Sequence, residues 1–132
     1  MVLKKENMLY ERDGEGTLVP KEVELELDED NMYYEELKGQ KIFVIPLTRG
    51  ELKKFFADID IINAEGKDEK DFDADLILKH CSSPKFTDKE VSDLKPAFVK
   101  PIVDTILRES GMGNKKEAKK NMEKADEDFE KN

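Results

Sequence analysis

The stretch Asp71–Gly111, DFDADLILKHCSSPKFTDKEVSDLKPAFVKPIVDTILRESG, decides how this chain is read. Its last third places Phe98, Val99, Ile102, Val103, Ile106 and Leu107 at three- and four-residue steps. At 3.6 residues per turn these side chains form one apolar stripe, so the spacing predicts an amphipathic helix. Gly111 follows where a helix end needs a residue in the left-handed region. Upstream, Thr87-Asp88-Lys89-Glu90 has the form of a capping box, in which a hydroxyl and a carboxylate three apart satisfy each other's free amides. Pro96 suits the first turn of the final helix, while Pro101 removes one backbone donor further in and predicts a bend near Ala97. Before these, Asp73 is read as capping a helix that runs to Cys81, with Leu76, Ile77 and His80 on its inner side. Ser82-Ser83-Pro84 ends it.

Working outward toward the N-terminus, Thr48-Arg49-Gly50-Glu51 repeats the capping-box spacing. Leu52, Phe55, Phe56 and Ile59 continue it at helical steps, which predicts a helix from about Arg49 to Ile62. A charged loop, Asn63–Lys70, joins it to the next. Val23, Leu25 and Leu27 alternate with Glu22, Glu24 and Glu26, the pattern of a strand with one wet face. Lys41–Leu47 is a second strand, with Pro46 at its end where no ladder hydrogen bond is required. Met32–Leu37 is read as a single helical turn closed by Gly39. The segment 1–17 is polar and turns at Asp13-Gly14-Glu15-Gly16. The residues 112–132 hold six lysines against six acidic residues, and 115–132 have only Met122 and Phe129 as large apolar groups. Such a segment cannot bury enough surface to fold alone and is expected to be a flexible charged tail. The expected fold is mainly α (α+β): one globular domain over 18–111, a small helical bundle carrying a short N-terminal antiparallel β element.

Composition narrows the function. The 132 residues carry a net charge of −9, all of it on residues 1–111, and 42% of the chain is charged. An acidic surface repels phosphate, which argues against nucleic acid as a partner. No run has the length of a membrane span or the form of a signal peptide, so no membrane is implied and a cytoplasmic setting is expected. Cys81 is the single cysteine, which excludes an internal disulfide and a four-cysteine zinc site.

Chemical constellations are few. Asp71-Phe-Asp73-Ala-Asp75 imitates the start of a calcium loop, but Leu76 stands where the loop needs glycine and Ser82 where it needs the bidentate glutamate. An acidic helix start explains the same residues. Glu65-Gly66-Lys67 with Asp58 or Asp60 would have to lie on adjacent strands to hold a catalytic metal, and they flank a helix end instead. His80 and Cys81 are adjacent on a helix and point about 100° apart, so they cannot act as base and nucleophile toward each other. No catalytic residue, metal or cofactor is therefore expected. The apolar stripes remain, with Phe55, Phe56, Phe98, Ile102 and Ile106 as candidates for a partner or oligomer interface. Because Phe55 and Phe56 are adjacent, only one of the two can sit at the centre of a narrow buried stripe.

Two segments carry a resemblance. Pro46-Leu47-Thr48-Arg49-Gly50-Glu51-Leu52-Lys53 and the series Pro84, Phe86-Thr87, Glu90, Leu94-Lys95-Pro96, Ile102-Val103, Ile106-Leu107, Ser110-Gly111 resemble the tail assembly chaperones of long-tailed bacteriophages and prophages, over about residues 18–111. The resemblance implies a small, non-enzymatic, mainly helical protein of the host cytoplasm. Such a protein coats the long apolar tape measure protein until tail-tube subunits assemble around it, and it is absent from the mature virion. It also implies a longer product made by translational frameshifting, for which the codons of Lys115-Lys116 and Lys119-Lys120-Asn121 are the natural place. No site residue is carried over from the family. The alternative reading is a small acidic adaptor or inhibitor of a basic partner, with an enzyme third.

Overall fold

The structure is a computed structural model that describes residues 2–65 and 71–112, with side chains from Ile61 to Glu65 left aside. The strands are β1 (Lys21–Glu24), β2 (Lys41–Val44) and β3 (Cys81–Ser83); the helices are α1 (Tyr34–Leu37), α2 (Arg49–Glu65), α3 (Phe72–His80), α4 (Asp88–Ser92) and α5 (Pro96–Glu109). The expected loop Asn63–Lys70 is shortened from the front, because α2 continues to Glu65; its remainder and the residues from 113 onward lie outside the described residues.

The three strands form one antiparallel sheet in the order β1-β2-β3. Val23 pairs with Ile42 and Lys21 with Val44, which puts Val23, Ile42 and Val44 on one face and Phe43 on the other. Val23, Ile42 and Val44 are buried there, while Glu22, Glu24 and Lys41 stay exposed on the other. The alternation read from the sequence thus survives, and it fixes the register, because a slip of one residue would invert every side chain. The fold is mixed α+β and not purely a helical bundle. The third strand has no signal in the sequence pattern. Cys81-Ser82-Ser83 is too short to show a period of two, and it enters the sheet because β2 presents a free edge directly after α3 ends.

The core lies between the buried face of the sheet and helices α2, α3 and α5. Leu52, Phe56 and Ile59 come from α2, Leu76 and Ile77 from α3, and Ile102, Val103, Ile106 and Leu107 from α5. Burying each such side chain contributes about 1.5–3 kcal/mol. Helix limits follow local chemistry. Thr48 and Glu51 exchange hydrogen bonds at the start of α2, and Thr87 and Glu90 do so at the start of α4, as the two capping boxes require. The cap of α3 is Asp71 and not Asp73: its Oδ1 accepts from Ala74 N at 3.0 Å, which leaves Asp73 in the first turn. At the far end of α5, Met112 N reaches Leu107 O and Gly111 N reaches Arg108 O, with Gly111 at φ 87°. This is the six-to-one and five-to-two pairing that a left-handed glycine permits.

A polar seam fastens α5 to the segment that leaves β1. Running down that segment and up the helix, Arg108 donates to Glu24 O and the Glu26 carboxylate. Glu26 N donates to Thr105 Oγ1 at 2.7 Å, and Lys100 bridges Asp28 and Asp104. Finally Asn31 Nδ2 donates to Ala97 O at 2.8 Å. The last contact answers the question Pro101 raises. With no N–H at Pro101, Ala97 O has lost its helical partner, and the Asn31 amide replaces it. Pro101 itself is buried inside a helix that runs unbroken from Pro96 to Glu109.

Candidate interaction surface

The sequence candidates separate by burial. Phe56 and Ile102 are each 6% exposed and Ile106 is fully buried, so these three belong to the core and cannot meet a partner in the folded domain. This corrects their reading as interface residues. The physical reason is that α2 and α5 turn the centres of their stripes toward the sheet. Phe55 and Phe98 are half-buried. Phe55 stands edge-on to Phe56 and to Phe72, with ring centroids 5.1 and 5.7 Å apart, and so caps the core between α2 and α3. Of the adjacent phenylalanines, Phe56 takes the centre of the stripe and Phe55 its border.

Phe98 sits at the start of α5 in different company. Its ring lies 5.0 Å from that of Tyr33, and Lys95 Nζ stands 4.9 Å from the Tyr33 centroid and 5.9 Å from that of Phe98. Phe86, Leu94 and Phe98 line an open groove of about 380 Å³, bordered by Glu90, Asp93 and Lys95. Local structure explains why apolar side chains collect here. Helix α4 is a single capped turn, and Lys95 breaks the helix in extended geometry before Pro96 restarts it. The short α4 leaves the first turn of α5 only partly covered. Directly beside it, Glu26, Asp28, Asp30 and Asp104 with Lys100 wall a second groove of about 410 Å³, whose floor includes Ala97. Hydrogen bonds to Asp104 and Asp28 outweigh partial desolvation and hold the Lys100 ammonium above its ordinary pKa.

The N-terminal segment, read from the sequence as simply polar, also exposes Leu3, Met8 and Leu9. Its expected turn is present: Asp13 Oδ1 accepts from Glu15 N and Thr17 N, and Gly16 adopts φ 83°. On the wet face of the sheet, Phe43 is 39% exposed opposite Glu22. The run Ile42–Ile45 is apolar throughout and does not alternate, so its sequence alone does not say which of its side chains faces outward.

His80 and Cys81 are both buried, and they engage different partners. The His80 ring donates from Nδ1 to Ile45 O at 2.8 Å, and the Cys81 thiol donates to Pro84 O at 3.2 Å. Burial pushes the Cys81 pKa up to about 11, so its thiol is protonated and unreactive at neutral pH. Asp71, aligned with Asp73 and Asp75 in the sequence, spends a carboxylate oxygen on its helix cap. Among the described residues no group of three metal-ligating side chains converges. No helix among them is long and apolar enough to cross a membrane.

Burial pushes the His80 pKa below its ordinary value, against the opposing pull of the Ile45 carbonyl and of Glu51, whose carboxylate lies 3.7 Å from Nε2. The folded state therefore holds the neutral ring, and the unfolded chain takes up the proton first as pH falls below about 6.5. Stability is then complete above that value and declines as pH drops toward the depressed folded pKa. Thermal melts between about pH 7.5 and about pH 5.5 are expected to show this loss, and His80→Gln to remove that part of the pH dependence.

The described residues thus define an acidic α+β domain with a half-exposed aromatic groove between α4 and the first turn of α5. No family model, curated protein or solved structure matches the chain.

Proposed function

We propose that this chain is a non-enzymatic tail assembly chaperone of the long-tailed phage and prophage type. It binds and shields the tape measure protein in the host cytoplasm, hands it over as tail-tube subunits assemble, and stays out of the mature virion. The observation that carries this reading is the Phe86–Leu94–Phe98 groove on a domain of net charge −9. An apolar groove of this kind accepts the apolar face of a helix, and the surrounding charge keeps the resulting complex dispersed. The acidic groove beside it favours a second reading, an acidic adaptor that occupies a basic protein surface.

The test is co-expression with a phage tape measure protein, whose gene this reading expects next to that of the chain. The expected result is a soluble complex that purifies together and a tape measure protein that aggregates when expressed alone. A tape measure protein equally insoluble with and without this chain overturns the proposal. Binding to unrelated basic proteins that disappears at moderate salt supports the adaptor instead.

A further inference from the structure

Building on the reading of the Phe98 groove as a helix-binding surface, we infer that the helix it takes is amphipathic and carries lysine or arginine along both borders of its apolar face. The two grooves meet at the first turn of α5, where Pro96, Ala97 and Lys100 line one and Lys95 and Phe98 the other. The Tyr33 ring lies tilted against Phe98, and the Asn31 amide on Ala97 O fixes the chain that supplies Tyr33. Glu90 and Asp93 line the groove on the Phe98 side, and Glu26, Asp28, Asp30 and Asp104 the groove on the Ala97 side. Among the described residues that line the grooves, six carboxylates face two ammonium groups. Within the chain Lys95 lies over the Tyr33 ring, Lys100 bridges Asp28 and Asp104, and Arg108 pairs with Glu26, so six carboxylates against three cations leave an excess of three negative charges.

An apolar strip flanked on both sides by negative charge complements a helix with the reverse arrangement, and it selects by potential as well as by shape. The same charge disfavours a second copy of this chain as occupant, since each carries −9. A neutral helix gains nothing from the excess negative charge, and an acidic one is penalised by it.

The probe is a pair of synthetic helices of about five turns with the same leucine face, one bordered by lysine and the other by glutamate. Fluorescence anisotropy with the full chain reads their affinities at low and moderate salt. The lysine-bordered peptide is expected to bind at least about tenfold more tightly, with the difference shrinking as salt rises. Phe98→Ser is expected to weaken it about tenfold, with far-UV circular dichroism and melting temperature little changed. Asp93→Lys, at an exposed position, is expected to weaken the lysine-bordered peptide and strengthen the glutamate-bordered one. Equal affinity for the two peptides overturns the inference, as does lysine-peptide binding that neither variant changes. A chain dimer that excludes the peptide also overturns it. If the lysine peptide binds through Phe98 while the tape measure protein does not bind, the inference stands and the proposed function falls. If the tape measure protein binds Phe98→Ser as well as the wild-type chain, the function stands and the groove is not its site.

Discussion

Phe56→Asp is expected to unfold the domain, whereas Phe98→Asp leaves it folded and removes partner binding. The two phenylalanines look equivalent in the sequence, each on a helix with an apolar stripe. In the structure Phe56 is enclosed by the core that also holds Leu52, Ile77 and Ile106, and only 6% of it is exposed. Loss of the ring costs about 3–5 kcal/mol, and a carboxylate left there without a partner adds several more. Together these approach the whole stability of a small domain, about 5–15 kcal/mol. Phe98 borders an open groove, so its replacement puts a carboxylate into water at little cost to the fold. Circular dichroism and urea denaturation separate the two outcomes. A Phe56→Asp variant with wild-type cooperativity and midpoint would mean that α2 does not close over the sheet as described.

Removing one buried hydroxyl from the seam along α5 is expected to have the next largest effect. Thr105 is fully buried; its Oγ1 accepts from Glu26 N and donates to Pro101 O at 2.6 Å. Thr105→Val keeps the volume and strands the Glu26 amide, at a cost of about 1–3 kcal/mol. Thr105→Ser, which keeps the oxygen, is expected to recover much of it. Asn31→Ala, which strips Ala97 O of its substitute partner, is expected to cost about 1 kcal/mol. Urea midpoints measure both, with slopes unchanged if only native-state contacts are lost. A Thr105→Val variant as stable as the wild type would show that water or a small shift satisfies the Glu26 amide, and that the seam does not fasten the helix.

Much of this fold is written in local sequence because local physics produces it. The alternation from Val23 to Leu27, the two capping boxes, Pro96 at a helix start and Gly111 past a helix end each rest on contacts within a few residues. Those contacts form in much the same way whatever surrounds them. The inner side of α3, with Leu76, Ile77 and His80, follows equally from helical period. Composition likewise determined the acidic surface without reference to any fold.

Tertiary structure decided what depends on residues distant in the chain. Periodicity could say that Phe56, Ile102 and Ile106 share stripes with Phe55 and Phe98. It could not say which members the sheet would cover, because that depends on where each helix meets a partner far away in sequence. Strand β3 exists because β2 offers an edge where α3 stops, a circumstance that three residues cannot encode alone. Pro101 announced an orphaned carbonyl at Ala97, yet only the folded chain brings Asn31, 66 positions away, to within 2.8 Å of it. The aromatic groove has the same origin. Its residues come from α4, α5 and the loops before them, and it stays open because α4 is too short to cover the first turn of α5.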